Sequence, residues 1–104
     1  HNSDRGVAMF VLIAKYNQPA EVVDQHLDAH KEWIKGHYDA GRILLTARQV
    51  PLTGGLILAS AGSIDEVQAM IAEDPFKTSG VADYDVLEFT PARAAPGLEK
   101  LMEA

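Results

Sequence analysis

Short apolar runs and longer amphipathic stretches alternate along the chain. The run 10–14 is continuous and rich in β-branched and aromatic residues, which is typical of a buried strand. Between Ala20 and Tyr38, apolar residues recur at helical spacing and predict one long helix. Its inward stripe is expected to consist of Val23, Leu27, His30, Ile34 and Tyr38. Gly41 is a typical helix stop signal and ends this segment.

Two further apolar runs follow in the middle of the chain. The runs 42–47 and 55–59 predict two strands, and the segment 51–54 predicts a hairpin or a longer loop between them. The chain therefore returns on itself directly after the first helix.

A second helix and a last strand complete the predicted pattern. Ser63 and Glu66 have the spacing of a capping box, so the helix begins there. It ends near Asp74, because the residue before Pro75 is pushed away from helical backbone angles. The segment 84–89 then predicts the final strand.

The predicted order is strand, helix, strand, strand, helix, strand. This order indicates an α+β fold of the ferredoxin-like type, a four-stranded antiparallel sheet with two helices on one face. No helix covers the other face, although the runs 10–14 and 56–59 are apolar on both sides. We therefore expect a second copy to cover it, forming a homodimeric α/β barrel.

The two ends of the chain differ from its centre. Residues 1–8 are polar and aperiodic and are interpreted as a disordered leader or a tag remnant, while residues 9–93 form the expected single domain. Residues 94–104 are expected to form a C-terminal tail or a short helix.

Composition narrows the classes of function. The 104 residues include no cysteine, which excludes thiolate catalysis and Cys-ligated metal sites and fits a cytoplasmic location. With 15 acidic against 9 basic residues the net charge is −6, so neither nucleic acid nor an anionic membrane is an expected partner. A small-molecule ligand and a second copy of the chain are the partners that we expect.

Two residues carry the strongest candidate chemistry. His30 interrupts the apolar stripe of the first helix, so its imidazole should point at the sheet. It is either a core histidine satisfied by backbone groups or a general acid/base in a partly buried pocket. Asp74 is either helix punctuation before Pro75 or the carboxylate that orients this imidazole.

A metal site is a weaker alternative. His26 and His30 are four residues apart and can approach one helix face. The zincin motif places Glu directly after its first His, and here Leu27 takes that place. No third ligand is visible nearby, and neither a metal nor a cofactor is predicted.

Three segments resemble the YciI-like (YCII-related) family of small bacterial proteins. They are the end of the first helix, 30–34, the connector 39–44, and the segment 74–80 with its Asp-Pro-Phe and following Gly. The resemblance covers about residues 9–93 and implies a dimeric α+β barrel. It also implies a pocket with a His–Asp pair, here His30 and Asp74.

The chain departs from the family pattern in two places. Family members often carry Arg where Leu27 stands, and Ala-Gly-Pro where this chain has Ala47-Arg48-Gln49. Arg48 then brings a positive charge toward the pocket. We take Arg48, Ser79 and Gly80 as the candidate ligand-binding residues.

The resemblance implies acid/base chemistry on a small cyclic or aromatic compound. One relative is a dehydrochlorinase of chlorinated hydroquinones, and muconolactone isomerases share the wider fold. A non-catalytic ligand-binding or regulatory module is the alternative. A monooxygenase of the same superfamily is a third hypothesis.

Overall fold

A computed structural model describes residues 8–103 of the chain. Most of the predicted leader lies outside these residues, and its last member, Ala8, opens the first strand. The tail contains a 3₁₀ helix at Glu99–Glu103. The other elements are β1 (Ala8–Tyr16), α1 (Ala20–Asp24), α2 (Leu27–Asp39), β2 (Ile43–Arg48), β3 (Gly54–Ala61), α3 (Ile64–Ala72), α4 (Pro75–Thr78) and β4 (Ala82–Phe89).

The four strands form one sheet in the order β2-β3-β1-β4, with all neighbours antiparallel. The predicted α+β ferredoxin-like class is confirmed. Strands β1 and β3 lie at the centre, and both are the most apolar strands of the chain. The helices pack on one face, where the buried side chains of the main core meet: Phe10, Leu12, Ile43, Ile57, Ala59, Ala61, Val67, Met70 and Ile71.

The predicted first helix is two helices. Around Gln25 and His26 the backbone bonds tighten, because Gln25 N–H donates to Val22 and His26 N–H donates to Val23, three residues back. This turn separates α1 from α2 and changes the direction of the chain. Within residues 8–103, no helix combines the length and the apolar content that crossing a membrane requires.

The predicted stripe is wrong at Tyr38, whose side chain is 60% exposed. Around α2 the residues that face the protein are Leu27, His30, Trp33, Ile34 and His37. Tyr38 follows His37 by one residue, which turns it by about 100° around the helix axis and away from the sheet. Trp33 takes the inward place instead, and its indole N–H donates to the carbonyl of Met70 at 3.0 Å.

The capping box at the start of α3 forms as predicted. The Ser63 hydroxyl accepts a hydrogen bond from the Glu66 N–H at 3.2 Å, and the Glu66 carboxylate accepts one from the Gly62 N–H at 3.0 Å. One of the N–H groups that the helix itself leaves unpaired, that of Glu66, is thereby satisfied, together with the N–H of Gly62 just before the cap residue. The cap fixes where α3 begins. It thereby helps to position Asp74, which follows the C-terminal end of α3.

The sheet face opposite the helices carries an apolar row across all four strands. The paired residues of this row are Leu45, Leu58, Val11 and Leu87. Leu45 is 50% exposed and Leu87 is 60% exposed. No helix among residues 8–103 packs on this face.

Candidate functional site

The centre of the site is a contact between the two helical halves of the fold. The Nδ1 atom of His30, on α2, lies 2.7 Å from Oδ1 of Asp74, between α3 and α4. Asp74 is fully buried, and the His30 side chain is 12% exposed. A carboxylate only accepts hydrogen bonds, so Nδ1–H is the donor and Nε2 is the nitrogen left for other chemistry.

Asp74 is held by its position at the start of a helix. It is the N-cap of α4, and its Oδ1 also accepts from the Phe76 N–H at 3.0 Å. Pro75 occupies the first helical position, where its missing N–H costs nothing. Asp74 is therefore both helix punctuation and the partner of His30, and the two alternatives of the sequence are one arrangement.

A third donor completes the environment of the carboxylate. Tyr84, on β4, donates its hydroxyl hydrogen to Oδ2 of Asp74 in a short hydrogen bond. Burial and the charge of Asp74 raise the pKa of Tyr84 far above its usual value near 10. Tyr84 is therefore protonated at neutral pH and acts as a hydrogen-bond donor.

The imidazole of His30 also contacts two aromatic rings. It stacks on Phe76 with a centroid distance of 3.8 Å and an angle of 4° between the planes. Trp33 stacks more loosely, at 5.7 Å and 24°. These contacts fix the plane of the ring.

His30 opens onto a cleft of about 790 Å³ between the α1–α2 side and the β2–β3 side of the fold. This volume suits a small ring compound. Its walls are mixed, with somewhat more apolar than polar surface. The cleft lining includes Tyr16, His30, Lys31, Arg48, Thr53 and Phe76.

The charges of the lining differ from those of the whole chain. Two cations, Lys31 and Arg48, line the cleft together with one carboxylate, Asp24. The chain as a whole has 15 acidic and 9 basic residues. The cleft is thus a locally basic concavity in an acidic protein, which favours entry of an anion.

The predicted site residues fall into two groups. The structure brings His30 and Asp74 together and places Arg48 in the lining of the same cleft. Ser79 and Gly80 are not among the lining residues; the Ser79 hydroxyl donates to the Pro75 carbonyl at 2.6 Å, and Gly80 adopts a φ of +77°. Both residues lie at the C-terminal end of α4, the helix that Asp74 caps, so their role is in the structure of this segment.

The two histidines of the metal alternative have separate surroundings. His26 is the N-cap residue of α2, whereas Nδ1 of His30 is engaged with Asp74. Among residues 8–103, no group of three or more His, Cys, Asp or Glu side chains has the geometry of a metal site.

Sequence reasoning missed three residues of the site. Tyr84 was placed only on a strand and Phe76 only in a motif, and Tyr16 was given no role. The alternation of β4 does carry a signal for Tyr84, because it shares its face with Val86 and contrasts with the exposed Asp83 and Asp85. That alternation could have directed Tyr84 toward the helices and hence toward Asp74.

The fold and the site define a small α+β protein with a histidine–aspartate contact beside a cleft. The profile of the YCII-related domain matches residues 9–90. The chain therefore belongs to the YCII-related family. Comparison with proteins of curated function gave no match.

A solved structure with the same fold is the 5-chloro-2-hydroxyhydroquinone dehydrochlorinase (TftG) from Burkholderia phenoliruptrix AC1100, in complex with 2,5-dihydroxybenzoquinone. The TM-score is 0.69, with 20% sequence identity. The superposition covers 81% of this chain and 95% of the dehydrochlorinase chain. At this identity the likeness establishes the common fold.

The buried hydrogen bond of Tyr84 predicts an unusual alkaline titration. Because the pKa of Tyr84 is raised in the folded state, its contribution to stability is complete below about pH 10 and is lost as the pH rises above that value. We therefore expect Tyr84 to ionise only when the fold is lost. Phenolate absorbance measured alongside circular dichroism tests this.

The Tyr84→Phe variant serves as the control, since it should lack the step that coincides with unfolding. Ionisation of Tyr84 near pH 10 in a protein that is still folded would contradict the assignment.

Proposed function

We propose that this protein is an acid/base enzyme that moves a proton on a small cyclic or aromatic compound. The observation that supports the proposal is that the imidazole of His30 contacts both a buried carboxylate and a cleft. His30 is hydrogen-bonded to buried Asp74 through Nδ1, and it lines a cleft of about 790 Å³. A positioned base with an open nitrogen beside a cavity is what general acid/base catalysis requires.

The roles of the two residues follow from the geometry. His30 accepts a proton from the substrate at Nε2, because Nδ1 already carries the hydrogen that Asp74 accepts. The imidazolium that forms is stabilised by the negative charge of Asp74 and by the face of Phe76. Asp74 keeps its place through its bonds to Tyr84 and Phe76, so the pair needs no rearrangement during the reaction.

Two reactions suit one acid/base group. In an isomerisation, His30 takes a proton from one substrate atom and returns it to another. In an elimination of HX, it takes the proton, the freed bonding pair forms a new double bond, and the halide leaves with the electrons of the carbon–halogen bond. The shared fold with a chlorohydroxyhydroquinone dehydrochlorinase supports the elimination.

We also propose that two copies pair through the apolar row Leu45, Leu58, Val11 and Leu87. The row crosses the whole sheet, and no helix among residues 8–103 shields it from water. Pairing two such faces would bury apolar area on both copies, which is the dominant favourable term in association. The result is the barrel that the sequence predicts.

Variants at the pair test the proposed chemistry. With 5-chloro-2-hydroxyhydroquinone and muconolactone as trial substrates, we expect His30→Gln to lower kcat by about 10²–10⁴-fold, the usual contribution of a general acid/base. Asp74→Asn should lower kcat less, because the amide oxygen still accepts from Nδ1–H and from Phe76 but carries no charge. Chloride release and ultraviolet absorbance measure the two reactions.

His26→Gln is the matched control, since it removes the same residue type one helical turn before His30 and outside the cleft lining. Its turnover should equal that of the wild type. An unreactive wild type that nevertheless binds these compounds would contradict the proposal and favour a binding module.

The apolar row predicts a dimer in solution. Sedimentation equilibrium of the 11.3 kDa chain should give about twice that mass at micromolar concentration, and Leu87→Glu should shift it toward the monomer because a charge buried without a partner is costly. Lys35→Glu, on the exposed side of α2, changes charge away from the row and should remain dimeric. A monomeric wild type would contradict the pairing.

A further inference from the structure

The cleft has a second polar end in addition to His30. Arg48 is the last residue of β2, and it lies on the same face of the sheet as the buried Ile57 and the helices. Its register partner on β3 is Gly55, which pairs in turn with Ala14 on β1, and Ala14 pairs with Tyr84 on β4. Arg48 and Tyr84 therefore occupy the two ends of one row across the sheet. Tyr84 is hydrogen-bonded to Asp74, which in turn is hydrogen-bonded to His30.

The middle of this row is nearly free of side chains. Gly55 has none, and Ala14 has a single methyl group. Since neighbouring strands are about 4.8 Å apart, the row separates the backbones of Arg48 and Tyr84 by roughly 14 Å. No side chain of the row fills the space between the arginine and the His30–Asp74 pair, which leaves the width that a ring requires.

Tyr16 is the second member of this end. Its backbone N–H donates to the Thr53 carbonyl at 2.9 Å, which ties the end of β1 to the loop after β2. Its ring meets the edge of Phe76 at a centroid distance of 5.9 Å, and Phe76 stacks on His30. Burial and the charge of Asp24 raise the pKa of Tyr16, so its hydroxyl is a hydrogen-bond donor at neutral pH.

Arg48 is available to a ligand. Among residues 8–103 it has no carboxylate within ion-pair distance, and the ion pairs of that part of the chain are formed by other residues. A guanidinium presents its donors in a planar fork that matches a carboxylate or another conjugated oxyanion. Lys31, across the cleft on α2, adds a second positive charge without competing for the same geometry.

We propose that Arg48 and the Tyr16 hydroxyl bind the oxyanion of a small ring substrate, a ring-bound carboxylate or phenolate, while His30 acts on the ring from the other side of the cleft. This inference rests on the proposed function, because it names the class of substrate of that same cleft. Arg48 is a specificity residue here and takes no part in proton transfer.

Paired probes that differ in charge test the proposal. Calorimetry measures the Kd of benzoate against benzamide, and of 4-nitrophenolate against 4-nitroanisole, at low salt. We expect the wild type to prefer at least one anion over its neutral partner by about tenfold or more, as a charge-assisted bond requires. The pair with the larger preference identifies the oxyanion as carboxylate or phenolate.

Arg48→Gln should abolish this preference while binding of the neutral probe stays unchanged. Arg48→Lys should retain part of it, because the charge remains and the fork is lost. Tyr16→Phe should retain most of it, since a neutral donor contributes less than a charged one. Lys35→Gln is the matched control, since it removes the same charge from an exposed position on α2 and should bind as the wild type does.

An anion preference that survives Arg48→Gln, a loss of equal size in Lys35→Gln, or a wild type that binds neither anion better than its neutral partner would each overturn the inference. These measurements need no turnover. A protein without activity whose anion preference depends on Arg48 would contradict the proposed function alone, and an active protein whose preference ignores Arg48 would contradict this inference alone.

Discussion

The buried carboxylate of Asp74 is the group on which the rest of the site depends. An ionised carboxylate with no exposure to water is tolerated only when its oxygens are hydrogen-bonded. The chain supplies three donors, from His30 on α2, Tyr84 on β4 and the Phe76 N–H of α4. Hydrogen bonds to a charged group contribute about 1.5–3 kcal/mol each, and a missing donor leaves the charge unpaired in the interior. The same three bonds therefore join the two helical halves to the sheet and fix the imidazole.

The cleft gains its chemistry from this constraint. Because Nδ1 of His30 is engaged with Asp74, Nε2 is the nitrogen left to bind a ligand in the cleft that His30 lines. Phe76 and Trp33 keep the ring plane in place. In the proposed mechanism, Arg48 and Tyr16 orient a ring at the β2 side of the cleft that they line, and His30 exchanges a proton at the other end.

The sequence predicted the order of elements because strand and helix periods are local properties. It did not predict the break at Gln25 and His26, which depends on two short-range backbone bonds, or the exposure of Tyr38, which depends on the direction in which α2 faces the sheet. The site is less local still, since His30 and Asp74 are 44 residues apart. Their pairing came from a resemblance to a family and not from spacing. The alternation in β4 carries a signal for the position of Tyr84. That Arg48 and Tyr16 line the same cleft follows only from the structure.

The hydrogen bond to Asp74 should fix the hydrogen of His30 on Nδ1 and leave Nε2 without one. Long-range proton–nitrogen NMR spectra of the imidazoles, recorded at a pH at which the histidines are neutral, measure this directly. We expect His30 to be in the Nδ1–H form. His26 has no such partner among residues 8–103, so it should show the Nε2–H form that dominates in free histidine. An Nε2–H form of His30, or a spectrum of His30 that matches that of His26, would contradict it.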